Sequence, residues 1–87
     1  MPPGQEAKAV KEAKDVFRQE GLGPAELAPG PCIAETLPGL PDWVVDVAHD
    51  PRRAVDDQPQ NQCQRFRAGD AAHFVELDPQ GNLIRAQ

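Results

Sequence analysis

Arginine is the residue with the most chemical potential in this sequence, and it is unevenly placed. Arg52, Arg53, Arg65, Arg67 and Arg85 are five of the nine basic residues, and all lie in the second half of the chain. Arg52 and Arg53 precede Asp56 and Asp57 in a polar stretch over 50–61, and Arg65 and Arg67 bracket Phe66. A guanidinium presents a fixed fork of donors that matches a carboxylate or a phosphate. Two uses follow. If residues 62–68 form a strand beside 43–49, Arg65 and Arg67 meet Asp46 and Asp50 as cross-strand pairs worth about 0.2–1 kcal/mol each. Otherwise the arginines form a local anion or nucleic-acid patch, with Phe66 as a stacking surface. The net charge of −5 works against nucleic acid, because phosphate neutralisation supplies most of the affinity of such binders. The candidate binding residues are Arg52, Arg53, Asp56, Asp57, Arg65 and Arg67.

Cys32 and Cys63 are the only cysteines. A bridge between them closes a loop of about 32 residues, which stabilises by roughly 3–4 kcal/mol in the chain-entropy view. In a reducing compartment they are instead two small buried thiols. The opening Met1-Pro2-Pro3-Gly4 lacks the basic and apolar regions of a secretory leader, so a cytoplasmic protein is expected over an exported one. That expectation favours the thiols and leaves the bridge open.

Metal and nucleophile chemistry find little support. Cys32, His49, Cys63 and His73 contain no closely spaced ligand pair of the kind zinc sites use. Across a turn at Gly69–Asp70, Cys63 would face position 76, away from His73. No catalytic residue, metal or cofactor is expected.

The elements that must hold these groups are few, since 87 residues allow one small domain. Val10, Ala13 and Phe17, widened by Ala9 and Val16, form the apolar stripe of a helix over 5–20, after a frayed lead at 1–4. Gly21 suits the helix end, with Leu22 set to touch Phe17. Strands are expected at 32–37, 43–49, 62–68, 71–78 and 83–86. In the second of these, Trp43, Val45, Val47 and His49 point to the core, and Val44, Asp46, Ala48 and Asp50 to solvent. Asp78-Pro79-Gln80-Gly81 is a tight-turn signal. Residues 50–61 read as a long exposed loop and the leading recognition element. The expected fold is two-layer α+β, one N-terminal helix packed on a four- to five-stranded antiparallel sheet. No apolar run is long enough to span a bilayer.

The helical Glu6-Ala7-Lys8-Ala9-Val10-Lys11-Glu12-Ala13, the Trp43–Val47 strand and the ending Phe74-Val75-Glu76-Leu77-Asp78-Pro79-Gln80-Gly81-Asn82-Leu83-Ile84 together resemble a PepSY-type domain, the small module of metallopeptidase propeptides and secreted proteins. The resemblance covers about half the chain and implies an inhibitory or binding role outside the cytoplasm, with no catalytic residues. The residues and the resemblance together give an expectation of a non-enzymatic module. It would bind another protein, or a second copy of itself, through a sheet edge or the 50–61 loop. The alternative is a small cytoplasmic regulator using the arginines on an anion or nucleic acid.

Overall fold

The computed structural model describes residues 3–87. Helix α1 spans Pro3–Glu20, two residues earlier than expected, because proline is well suited to a first helical turn. Of the frayed lead, Met1 and Pro2 lie outside the described residues. Ala9 and Ala13 are fully buried, and Val16 and Phe17 pack beside them. The two alanines let the helix axis approach the sheet closely. Gly21 has a φ of 60°, as a helix-ending glycine should. A four-residue helix α2, Pro24–Leu27, follows and buries Leu27.

The sheet has four strands, β1 (Cys32–Ala34), β2 (Trp43–Val47), β3 (His73–Leu77) and β4 (Leu83–Ala86), in the order β1-β2-β3-β4. The two-layer α+β architecture is as expected. The strand directions differ in one place: β1/β2 and β3/β4 are antiparallel, but β2 and β3 are parallel, paired from Trp43↔His73 to Val47↔Leu77. Parallel neighbours need a long crossover, and the chain supplies it between residues 48 and 72. The expected strand over 62–68 is part of that crossover. It is instead a short helix, α3 (Gln64–Arg67), so the antiparallel meander becomes a mixed sheet.

The crossover changes what is buried. Trp43, Val45, Val47, Val75 and Leu77 face α1 and form the main core with Leu37. Trp43 stacks on His73 with ring centroids 4.8 Å apart. The opposite face is not open to solvent, as a one-sided sheet would be. Val44 packs there against Cys63 and Ala71 of the crossover, with Cys32 and Phe74 alongside. Strands beside a parallel crossover are buried on both faces, which is why Val44 and Ala48 are as buried as Val45.

The 50–61 segment also departs from the exposed loop expected. It folds into two 3-10 turns, Ala54–Asp57 and Pro59–Asn61. Asp56 and Asn61 are buried within it, and the Asn61 side chain donates to the Val55 carbonyl at 2.9 Å.

Candidate functional site

The register builds one row of side chains across the outer face of the sheet. Cys32 pairs with Asp46, Asp46 with Glu76, and Glu76 with Arg85. Cys32 is disulfide-bonded to Cys63, which immediately precedes α3. The redox alternative left open by the sequence is thereby resolved in this structure in favour of the bridge, which ties β1 to the crossover.

Between this row and the crossover lies a cleft of about 180 Å³, lined by Asp46, Glu76, Arg52, Arg85, Phe66 and Phe74, among others. Glu76 is almost fully buried and sits between two guanidiniums. Arg52 Nη1 donates to its Oε2 at 2.8 Å, and Arg85 Nε lies 3.3 Å from its Oε1. Arg52 also donates from Nε to Asp57 Oδ1 at 2.9 Å. These carboxylates, Glu76 foremost, hold the Arg52 guanidinium even more firmly protonated than usual. Phe66 and Phe74 meet edge to face at 5.1 Å, and Arg85 lies over the Phe74 ring at 5.5 Å.

Asp46 is the exception in this row. Its Oδ1 is sealed from solvent and has no hydrogen-bond partner. Burial, reinforced by the neighbouring Glu76 charge, pushes its carboxyl up to about 7, against the partial relief of Arg52 and Arg85. Asp46 is therefore balanced between its neutral and charged forms near neutrality.

The candidate residues named from sequence divide into two groups. Arg52 and Asp57 do meet, and Arg52 also lines the cleft. Asp56 is not available to a partner: it accepts from the backbone N–H of His49 at 3.0 Å and of Arg53 at 2.9 Å. Its Oδ1 lies 2.9 Å from His49 Nδ1. Burial opposes its charge, but these donors outweigh burial and hold the carboxyl below its ordinary range. An ionised carboxylate only accepts, so His49 Nδ1 is the donor in this contact.

Arg65 does not pair with Asp46 or Asp50. Its Nη1 donates to the carbonyls of Glu35 at 2.6 Å and Pro41 at 2.9 Å, and its Nη2 to that of Asp70 at 3.2 Å. The Glu35 carboxylate in turn accepts from the backbone N–H of Gln64 and Arg65, each at 3.0 Å. Arg65 is thus a brace between β1, the turn before β2 and the end of α3. Arg67, two helical positions on, points elsewhere. Arg52 and Arg65 are thus each committed to partners within the fold.

Sequence reasoning missed Asp46, Glu76, Phe66 and Phe74 as a cluster. One signal was present: a lone aspartate inside the run Trp43-Val44-Val45-Asp46-Val47 is out of place in a strand buried on both faces.

Beside the cleft runs the outer strand. Phe74 and Gln87 exchange both backbone hydrogen bonds, at 2.9 and 3.0 Å, so the alternation of an antiparallel ladder turns the N–H and C=O of Ala86 away from β3. Leu83 and Phe66 are the large apolar side chains left exposed among the described residues. Comparison of the chain with protein-family models, with curated proteins and with solved structures finds no match.

Proposed function

We propose that the protein is a non-catalytic binding module that takes an extended segment of a protein partner along the free edge of β4. The observation that carries this reading is that β4 is an edge strand free of lysine and proline whose single charge is turned inward. Natural edges are blunted by lysine, proline, bulges or shortness. β1, at the other end of the sheet, is three residues long and preceded by Pro31, whereas β4 runs four residues with a register shift of its own opposite Glu76 and Leu77. β4 has one charge, Arg85, which is drawn back over the sheet to Glu76, and it exposes Leu83. An added strand would find backbone partners at Ala86 and apolar contacts at Leu83 and Phe66.

The disulfide supports an oxidising compartment over the cytoplasm, and an inhibitory role of the PepSY kind is compatible with it. The 50–61 segment serves as scaffold for the cleft, and the arginine reading for nucleic acid is weakened by the internal ties of Arg52 and Arg65.

Selection from a library of random ten-residue peptides, followed by amide hydrogen exchange, tests the proposal. Bound peptides are expected to protect residues 83–86. Ala86→Pro removes an N–H that the internal ladder does not use and should abolish binding while the fold is kept. Protection centred on 50–61, or full binding by Ala86→Pro, would overturn it. Concentration-dependent dimerisation that Ala86→Pro abolishes would identify the partner strand as a second copy.

A further inference from the structure

The cleft beside β4 contains a carboxyl that the fold leaves unserved. Among the described residues no donor bonds to Asp46, and its Oδ1 is shut away, so approach from the cleft reaches the carboxyl through Oδ2. Both oxygens of Glu76 are taken by Arg52 and Arg85. With Asp46 ionised, the carboxylates of Asp46 and Glu76 equal the guanidiniums of Arg52 and Arg85 in number, but both guanidiniums are held by Glu76. The Asp46 carboxylate is left without a cationic donor of its own.

We propose that the Asp46 cleft receives a single primary ammonium group, carried on an alkyl chain as in a lysine side chain. A guanidinium's fork is matched best by two coplanar acceptors, and one accessible oxygen does not offer them. An ammonium is a compact point charge that pairs with a single carboxylate oxygen. The rings of Phe66 and Phe74 line the approach and suit the methylene stem. The carrier of this group would be the partner segment on β4, so that part of the inference rests on the edge-docking reading. The chemistry of the cleft does not.

Binding is coupled to protons. Glu76 from β3, Arg85 from β4, and Arg52 and Asp56 from the crossover act on Asp46, whose carboxyl burial pushes up to about 7. An ammonium binds the charged form, so affinity should rise about tenfold between pH 6 and pH 8.

The test uses the full oxidised chain and n-butylammonium, followed by NMR through the Asp46 carboxyl carbon and the Phe66 and Phe74 rings. Saturable shifts at these groups are expected at pH 8, weaker by about tenfold at pH 6, weaker for n-butylguanidinium, and absent in Asp46→Asn. Absence of saturable shifts at pH 8, equal binding by Asp46→Asn, or preference for the guanidinium would overturn the cleft assignment. None of these outcomes bears on Ala86→Pro, so the two readings fail separately. A lysine-containing peptide that binds β4 no better than its norleucine analogue, while butylammonium still binds, would overturn the assignment of the partner segment as carrier.

Discussion

Asp46 and Glu76 are direct partners across the parallel strands β2 and β3, yet Glu76 holds both neighbouring arginines and Asp46 holds neither. Two like charges on one buried row cannot both be relieved by the same pair of guanidiniums. The fold favours the glutamate, whose longer side chain reaches between Arg52 and Arg85, and leaves the aspartate with the desolvation penalty.

Stability should therefore fall as pH rises through the acid range. Asp46 has an unfolded value near 4 and a folded value of about 7, so between these limits the folded state binds more protons than the unfolded state. Its contribution is then lost as pH increases, and is flat above about 7. Asp46→Asn removes the penalty. Urea unfolding of the two proteins should give similar stability near pH 4 and a variant more stable by on the order of 2–4 kcal/mol at pH 8. A constant difference across that range would contradict the assignment.

Asp56 works with the opposite sign. Its folded value lies below the ordinary one, so its contribution is present above about pH 4 and disappears as pH falls through the lower folded value. Asp56→Asn loses charge-assisted bonds from Arg53 and His49 and should cost about 2–4 kcal/mol at pH 7. The cost should shrink in strong acid, as read by denaturant midpoints.

Arg65 and Arg67 look interchangeable in sequence and are not so in the structure. Arg65→Ala releases three carbonyls that it braces and should cost about 1.5–3 kcal/mol. Arg67→Ala should stay within about 0.5 kcal/mol. Thermal unfolding of the two variants, compared at one pH, checks this directly.

Reduction of Cys32–Cys63 removes the constraint on a loop with a sequence separation of 31. A loss of up to about 3–4 kcal/mol is expected, measured by denaturant unfolding with and without reductant. Cys32→Ala with Cys63→Ala should reproduce it.

What the sequence made legible followed from periodicity. The helix face of Ala9, Ala13, Val16 and Phe17, the Trp43–Val47 strand and the closing hairpin at Asp78–Gly81 are all local patterns, and each is seen in the structure. The parallel pairing was not legible, because nothing in Val44 or Val75 specifies which neighbour approaches from which end. Gln62–Ala68 alternates like a strand, but Glu35, far back in the chain, supplies the acceptors that cap it as a helix. The cleft was hidden for the same reason. Asp46 and Glu76 are separated by the whole crossover, and only the parallel pairing of β2 and β3 makes them neighbours.

That crossover also sets the order in which the molecule can assemble. The central pairing joins Trp43 to His73, so β3 cannot find β2 until roughly 30 residues of chain have been gathered, a slow step for so small a protein. A bridge already closed between Cys32 and Cys63 replaces that search with two arms of roughly ten residues each. Refolding of the oxidised chain should accordingly outpace that of the reduced chain. The covalent tie then acts on the search for the native state as well as on its stability.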